Sequence, residues 1–216
     1  MNELYVVGLG PGDPDLITVK GYKILMDADL IYYPYTSFKY AENILISLGI
    51  DKKKMQPLEF PIRSLDLLKK IRENACRIKN SLEFYDSVVY AVEGDPMLYS
   101  TFLDLYRYLD CKVRFIPGIS SINAAAAILG IPMAEKDEIF TIIPAVNDYE
   151  YMKKMIMGTK NGAIIKAIGA KDVLKKLLDD EHLKKYYIME NVSLKSQKIY
   201  NNINDIDSYM ALVILK

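Results

Sequence analysis

Three short loops rich in glycine and proline contain the residues best suited to bind a ligand. They read Gly-Leu-Gly-Pro-Gly-Asp-Pro at 8–14, Glu-Gly-Asp-Pro-Met-Leu-Tyr-Ser-Thr at 93–101 and Pro-Gly-Ile-Ser-Ser at 117–121. Each follows an apolar run typical of a strand and precedes a helical pattern. Glycine lets a ligand approach the backbone closely. In open parallel sheets, ligands bind at loops in this position.

The first loop departs from two nucleotide-binding motifs. A dinucleotide fingerprint would need glycine in place of Asp13 and an acidic residue at the end of the second strand, where Tyr33 and Pro34 stand. A P-loop would continue with Lys-Ser/Thr, whereas Gly12 is followed by Asp13 and the nearest lysine is Lys20. NAD binding and phosphoryl transfer are therefore disfavoured. For this loop alone, a purely structural strand-to-helix turn stays open.

The other two loops also have structural alternatives. Asp95-Pro96 could be a turn whose proline enters a helix. The third loop could be an interdomain hinge with a serine N-cap, a role compatible with ligand binding. Because the second loop also joins a strand to a helix, we expect it at the same sheet edge as the first.

The elements that position these loops alternate between strands and helices, which is typical of a parallel sheet with helices on both faces. Strands are predicted at residues 4–7, 30–33, 87–92 and 112–116. Helices are predicted after the N-cap Thr18 and at residues 41–48, 64–84 and 98–109. The apolar face predicted for the first helix comprises Val19, Tyr22, Leu25 and Met26.

The pattern restarts near Pro117, which predicts two α/β domains, residues 1–116 and 117–216. A helix is expected at 121–129, followed by strands at 139–143, 163–166, 186–190, 197–200 and 211–215. Helices fit between the first three of these strands. Too little chain separates the last two for a helical crossover, so they are expected to be antiparallel. The second domain should therefore contain a mixed sheet with helices.

Composition excludes several classes of protein. The 216 residues include 28 basic and 28 acidic side chains, so the net charge favours neither nucleic acid nor a membrane surface as partner. No apolar stretch is long enough for a membrane span, and the first residues lack the features of a signal peptide. Cys76 and Cys111 show no metal-binding spacing. We expect a cytoplasmic protein without a metal site.

The segments VGLGPGDPDLIT, EGDPMLYST and PGISS, in this order, resemble the tetrapyrrole methylase family of cobalamin and sirohaem biosynthesis. The similarity spans the chain and continues in Glu190-Asn191-Val192-Ser193 with Gln197, and in the final strand YMALVILK. The second loop and the segment GIPMAEKDE resemble the branch that methylates C20 of precorrin-2 or cobalt-factor II.

This resemblance implies a homodimer of two-domain subunits that binds S-adenosylmethionine (SAM) in the cleft between the domains and releases S-adenosylhomocysteine. The macrocycle would occupy an adjoining trough. Matched position by position, the implied cofactor contacts are Pro11, Glu93, Gly94, Asp95, Met97, Ser100, Thr101, Ser120, Ser121, Val192 and Ser193. Lys166 matches a family lysine less closely, and its role stays open.

Methyl transfer from a sulfonium mainly requires that donor and acceptor be aligned, so no strong catalytic side chain is needed. The single histidine, His182, is accordingly expected at the surface. The methylated carbon must then lose a proton. Glu93 and Tyr99 are hypotheses for the acceptor, and release of the proton to water is the alternative.

A large flat ring with several carboxylates requires apolar walls and a few cations. Tyr33, Pro34 and Tyr35 could form such a wall, and Lys39 and Arg63 could meet carboxylates. The alternative is that these residues only cover ordinary helices.

Other functions share the same motifs. They include a uroporphyrinogen-III methylase, a methylase of another corrin position, the diphthine-forming protein methylase and a SAM- or nucleotide-binding module without catalysis.

Overall fold

The computed structural model describes residues 3–60, 66–178 and 185–216. The chain forms two compact units, Met1–Ser120 and Ser121–Lys216. Each contains a β-sheet with helices, which confirms the predicted α/β class. Within the described ranges, no helix is both long enough and apolar enough to cross a membrane.

The described part of the first unit contains five parallel strands in the spatial order β3-β2-β4-β1-β5. They are β1 (Leu4–Gly8), β2 (Leu30–Tyr35), β3 (Met55–Glu59), β4 (Val88–Val92) and β5 (Val113–Ile116). Every residue of β4 is buried, as expected for a strand in the middle of a parallel sheet.

Helices cover both faces of this sheet. They are α1 (Val19–Asp27), α2 (Tyr40–Ser47), α3 (Leu67–Phe84) and α4 (Phe102–Tyr106). Leu25 of α1 and Ile44 of α2 join one apolar cluster with Val7 of β1. Ile78 of α3 and Phe102 of α4 belong to a separate cluster on the opposite face. The sheet is therefore buried between two helical layers.

The chain reverses its winding direction between β1 and β4. After β1 it passes through α1 and crosses β4 to reach β2, whereas after β4 it passes through α4 and crosses β1 to reach β5. The loops that follow these neighbouring strands therefore diverge toward opposite faces. Ligands bind at such a point in open α/β sheets. The first two glycine loops lie there.

Helix α1 buries a different face from the predicted one. Its buried residues are Gly21 and Leu25. A Cβ on Gly21 would lie 3.0 Å from Val7 Cγ1, so the glycine allows the helix to approach the sheet. The side chains that the prediction wrongly placed in the core are exposed, and they are Val19, Tyr22 and Met26.

Strand β3 is not predicted from the sequence. Its five residues, Met-Gln-Pro-Leu-Glu, lack both a continuous apolar run and strict alternation, and only Met55 and Leu58 are buried. The strand forms one edge of the sheet. Proline has no backbone N–H to donate. An edge strand tolerates Pro57 because no second neighbouring strand needs a hydrogen bond from it.

Helix α4 is shorter than the predicted helix at 98–109. Tyr99 adopts a left-handed conformation with φ 52°, which a right-handed helix cannot include. The helix begins only at Phe102, whose N–H donates to Ser100 Oγ at 3.1 Å. Helix α3 ends at Phe84 as predicted, whereas its predicted start at 64 lies outside the described residues.

The second unit contains a mixed sheet, as predicted, and its described strands follow the order β6-β7-β10-β8-β9. They are β6 (Phe140–Pro144), β7 (Asn161–Ile165), β8 (Tyr186–Glu190), β9 (Lys198–Tyr200) and β10 (Ala211–Leu215). Strands β6 and β7 are parallel, and the other pairs are antiparallel. The helices are α5 (Ser121–Leu129), α6 (Tyr149–Met157) and α7 (Lys171–Leu178).

Strands β9 and β10 are not an antiparallel pair, and that prediction is wrong. Both are antiparallel to β8 and lie on opposite sides of it, so they run in the same direction. Their connection contains a short 3₁₀ turn, Ile203–Asp205. Ile203 and Ile206 are buried in the cluster that includes Leu174 of α7. This packing allows the chain to cross β8 without an α-helix.

Candidate functional site

The first and second glycine loops are joined directly through their backbones. The N–H of Gly94 donates to the carbonyl oxygen of Gly10 at 2.8 Å, and the N–H of Gly10 donates to that of Gly94 at 3.3 Å. The N–H of Leu9 also donates to Val92 O at 2.8 Å. The ends of β1 and β4 are therefore held together beyond the sheet itself.

One glycine from each loop allows the three backbones to meet, and we call Gly8, Gly94 and Gly118 the glycine triad. A Cβ on Gly118 would lie 2.1 Å from the carbonyl oxygen of Gly94, and a Cβ on Gly8 would lie 2.7 Å from Gly118 Cα. No side chain fits at either place. Gly94 itself has φ +68° and open space beside its α-carbon, so a ligand can approach the backbone there.

Asp95 joins the second loop to the third. Its Oδ1 accepts a hydrogen bond from the N–H of Met97 at 2.8 Å, and its Oδ2 accepts one from the N–H of Gly118 at 3.1 Å. Both oxygens of this half-buried carboxylate are thus engaged within the protein. Asp95 therefore fixes the shape of the site.

Glu93 links the end of β4 to the N-terminus of α2. Lys39 precedes that helix in a left-handed conformation, φ 53°, and its side chain provides no cap. The Glu93 carboxylate accepts a hydrogen bond from the N–H of Ala41 instead, where the helix dipole favours negative charge. Burial raises the pKa of Glu93 above its ordinary value, and hydrogen bonds from its own backbone and from Ala41 oppose that shift.

The two hydroxyls of the second loop have protein partners. Ser100 Oγ accepts the N–H of Phe102, and Thr101 Oγ1 lies 3.2 Å from the hydroxyl of Tyr90. By contrast, Met97 and Tyr99 are 55% and 46% exposed. Of this loop, these are the side chains with the most surface available to a ligand.

The remaining predicted contacts of the first unit differ in accessibility. Pro11 and Ser120 are buried.

The three loops together contain three carboxylates, from Asp13, Glu93 and Asp95, and no basic residue. A phosphate group would need cations at close range. The site is therefore suited to a neutral or positively charged ligand.

The segment Tyr35–Tyr40, which we call the β2–α2 turn, carries part of the predicted substrate wall. Tyr33 and Pro34, which precede it, are buried, and burial raises the pKa of Tyr33, with Glu42 and Tyr35 adding to the shift. Tyr35 is 45% exposed. Arg63 lies outside the described residues.

Two residues of the β2–α2 turn were missed by sequence reasoning. Phe38 is 54% exposed and its ring stacks on that of Tyr40, with centroids 5.5 Å apart. Thr36 Oγ1 is buried without a hydrogen-bond partner in the described part of the chain. The signal available was the aromatic-rich sequence YTSFKY after a strand at the ligand edge. Lys39 Nζ lies 3.8 Å from Glu42 Oε2 and stays largely exposed.

In the second unit, the predicted contacts Val192 and Ser193 lie in the turn after β8. Val192 is buried, whereas Ser193 has φ 64° and donates its N–H to Gln197 Oε1 at 2.8 Å. Ser121, the other predicted contact, begins α5 and is half-buried. Lys166 is left-handed with φ 58°, and His182 lies outside the described residues.

Glu190, at the end of β8, organises the surroundings of that turn. Its buried Oε1 accepts the N–H groups of Asp207 and Ser208, and its Oε2 accepts the hydroxyl of Tyr200 at 3.2 Å. Ser208 Oγ donates to Asn191 Oδ1 at 2.8 Å. The sequence drew attention to Glu190 through the resemblance alone, and the structure shows that its carboxylate connects β8 to β9 and to the loop before β10.

The family model described as Tetrapyrrole (Corrin/Porphyrin) Methylases matches residues 3–207 of the chain. The "Probable cobalt-precorrin-2 C(20)-methyltransferase" of Methanocaldococcus jannaschii is 38% identical over 173 residues, which are 74% of each protein. The cobalt-precorrin-2 C(20)-methyltransferase of Salmonella typhimurium is 24% identical over 95% of this chain and 90% of its own.

A solved structure has the same fold. It is the uroporphyrin-III C-methyl transferase of Thermus thermophilus, complexed with S-adenyl homocysteine. The TM-score is 0.72 at 18% identity, and the superposition covers 100% of this chain and 98% of that one.

Proposed function

Since this chain belongs to the tetrapyrrole (corrin/porphyrin) methylases, we propose that it transfers a methyl group from SAM to C20 of precorrin-2 or its cobalt form in cobalamin biosynthesis. The family predicted from the three loops is confirmed. The observation that carries the C20 assignment is the 38% identity, over 74% of both proteins, with a relative of that name.

The three loops fit SAM, whose sulfonium supplies an already activated methyl group when bound. The three carboxylates and the absence of basic residues in these loops suit its positive sulfonium. The open space beside Gly94 gives a ligand access to the backbone. We propose cofactor contacts from Pro11, Glu93, Gly94, Asp95, Met97, Ser100, Thr101, Ser120, Ser121, Val192 and Ser193.

The residues named as proton acceptors differ in environment. Glu93 is the proposed base, because burial raises its pKa and a base is most effective when its pKa approaches the working pH. Tyr99 is the alternative, with its ring 46% exposed in the same loop. The other polar groups of the loop hold its shape, so alignment of the two reactants accounts for most of the proposed rate enhancement.

The substrate would lie against the end of β2. Tyr35 and Lys39 offer exposed side chains for the ring and its carboxylates. Tyr33 and Pro34 are buried, so we propose that they support Tyr35 and do not contact the ring themselves. Arg63 remains proposed as a second cation.

The test is methyl transfer with a labelled donor. The purified protein would be incubated with SAM carrying a ¹³C-methyl group and either precorrin-2 or its cobalt form, and the product examined by mass spectrometry and NMR. We expect one added methyl at C20. A methyl at another ring carbon, or transfer to uroporphyrinogen-III instead, would establish a different specificity. SAM binding with no acceptor methylated would favour a binding module.

We further propose that the enzyme acts as a cytoplasmic homodimer, as its resemblance to the family implies. Light scattering of the purified protein should give the mass of two chains. A mass of one chain at micromolar concentration would contradict the dimer.

A further inference from the structure

Thr36 has a buried side-chain hydroxyl that the described part of the chain does not use. Its Oγ1 has no hydrogen-bond partner in the described ranges, although its carbonyl oxygen accepts the N–H of Lys39 at 3.0 Å. Asn74 Oδ1 is in the same situation, but the amide of Asn74 still donates to Glu59 O at 2.9 Å. The side chain of Thr36 thus has its entire hydrogen-bonding capacity unfilled.

Such a group requires an explanation, because native proteins satisfy nearly all of their buried polar atoms. The hydroxyl of Thr36 contributes no hydrogen bond to the β2–α2 turn or to the N-terminus of α2. A valine of almost the same shape would fill the same space without an unpaired polar group. Because no described residue pairs with this hydroxyl, it is available to a partner that the described part of the chain does not provide.

The neighbours of Thr36 indicate the chemistry of that partner. Tyr35 and Phe38 are 45% and 54% exposed on either side of it in the sequence, and the Phe38 ring is held by stacking on Tyr40. Lys39 adds a cation whose side chain is 54% exposed. Flat aromatic surface, a hydroxyl donor and an ammonium group within one turn suit a planar, apolar ligand that carries carboxylates.

We propose that the Thr36 hydroxyl donates a hydrogen bond to a carboxylate of the tetrapyrrole, whose ring lies against Tyr35 and Phe38. This inference rests on the proposed function, and it adds Thr36 and Phe38 to the residues that recognise the substrate. The turn contributes substrate affinity, whereas the glycine loops serve the cofactor.

The first measurement is the stability of the free protein. Thr36→Val removes the unused hydroxyl and keeps the shape, so we expect an unchanged or higher Tm. Thr18→Val is the matched control in the same unit, because Thr18 Oγ1 accepts the N–H of Gly21 at 3.1 Å and caps α1. Loss of that cap should lower Tm by about 2–4 °C.

The second measurement is binding of precorrin-2 without SAM, followed by its visible absorbance. A hydrogen bond to a carboxylate predicts that Thr36→Val weakens this binding about tenfold or more. Thr36→Ser retains the hydroxyl and should bind within about threefold of the parent, a difference smaller than one such bond. Binding of S-adenosylhomocysteine should be the same in all three proteins. Thr36→Ala provides a smaller replacement if valine distorts the turn.

Several results would overturn the proposal. A fall in Tm for Thr36→Val as large as that of Thr18→Val would reveal a partner within the protein. Weaker binding of S-adenosylhomocysteine would assign the hydroxyl to the cofactor. If the parent methylates C20 but Thr36→Val binds precorrin-2 normally, this inference alone fails. If the parent binds no tetrapyrrole, the proposed function fails with it.

Discussion

The carboxylate of Glu93 combines two features that are usually found at different residues. It accepts a hydrogen bond from the N–H of Ala41 at the start of a helix, and it is the carboxyl of the second loop whose pKa burial raises. The first feature fixes its position, and the second increases its basicity. A carboxylate that is both held and basic is suited to accept a proton from a carbon that has just been methylated.

Replacing Glu93 by glutamine should separate position from basicity. The amide oxygen of Glu93→Gln can still accept the N–H of Ala41, so the helix keeps its cap. Single-turnover formation of the deprotonated, methylated product, measured by its absorbance after rapid mixing with excess enzyme, should fall by about 100-fold, the contribution of a positioned base. A rate within about threefold of the parent would remove Glu93 from that role, because the loss would be far below that contribution.

The raised pKa of Glu93 also predicts how stability depends on pH. A carboxyl with a raised folded pKa contributes stability that is fully present below the ordinary glutamate pKa of about 4.3 and is lost as pH rises through the folded value. The parent should therefore gain stability relative to Glu93→Gln as pH is lowered. Urea unfolding of both proteins between neutral and acidic pH measures the difference. A difference that does not vary with pH would contradict the shift.

At this scale the sequence singled out the second loop as a candidate but did not reveal the partners of its side chains. Glu93 and Asp95 were both predicted to lie at the site. Their bonds to Ala41 and Gly118 were not predictable, because they depend on which strands are neighbours in space. Thr36 was not predicted either, because a buried hydroxyl without a partner can be recognised only when its neighbours in space are known.

At the scale of elements, the glycine triad determines how closely three loops can approach. The backbone of Gly118 lies so near the carbonyl of Gly94 that any side chain would collide with it. Gly49, just after α2, is different: it has a positive φ, +81°, and a Cβ there would meet nothing within 4 Å. These two glycines separate the effect of close packing from that of backbone conformation.

We expect Gly118→Ala to lower the free energy of unfolding by about 3 kcal/mol, because backbone atoms must move apart. Gly49→Ala should lower it by about 1 kcal/mol, the strain of a left-handed alanine alone. Chemical denaturation of the two variants and the parent measures both values. Equal losses would mean that the loops can separate freely, which would contradict a close-packed triad.

In the second unit, Glu190 holds neighbouring segments together through hydrogen bonds to its carboxylate. Glu190→Gln would place an amide donor against the N–H groups of Asp207 and Ser208 or the hydroxyl of Tyr200. We expect a loss of about 2–3 kcal/mol in stability. Tyr200→Phe removes only one bond and should lose about 1 kcal/mol. Urea unfolding tests the order, and a glutamine variant no less stable than Tyr200→Phe would contradict the role given to Glu190.

The elements that could be predicted are those whose pattern depends on local sequence. The predicted helix at 121–129 matches α5, and the predicted strand at 211–215 matches β10, because each has a continuous, unambiguous pattern. The exposed side of α1 was misjudged because Gly21 allows a glycine face to pack where a larger apolar face was expected. Strand β3 was missed because an edge strand needs little apolar surface.

At the scale of the molecule, the proposed function predicts that a cofactor analogue stabilises the fold. S-adenosylhomocysteine at 100 times its Kd should add about 2.7 kcal/mol to the free energy of unfolding. Differential scanning fluorimetry at several concentrations would show a rising Tm. ATP and NAD, matched in concentration, should produce no shift, since the loops contain no cation for phosphates. Stabilisation by ATP alone would contradict the proposed cofactor.

The family could be recognised from short loops, whereas the topology could not be derived from them. The loops retain a fixed order in the chain, so a resemblance is visible without the fold. The placement of β4 beside β1, and of β10 between β7 and β8, involves pairings between distant segments. Hydrophobic pattern predicts that strands exist but does not choose their neighbours, and the β9–β10 error followed from that.

The central position of β10 has a consequence for how the protein is made. Strands β7 and β8 are synthesised before β10, which pairs with both of them. The edges that face β10 therefore stay unpaired until residues up to Leu215 have emerged from the ribosome. The first sheet is complete once residue 116 has left the tunnel. Protease protection of stalled nascent chains should therefore appear in two steps, with the second delayed until β10 is free. Protection of the second unit before then would show that its sheet closes in another order.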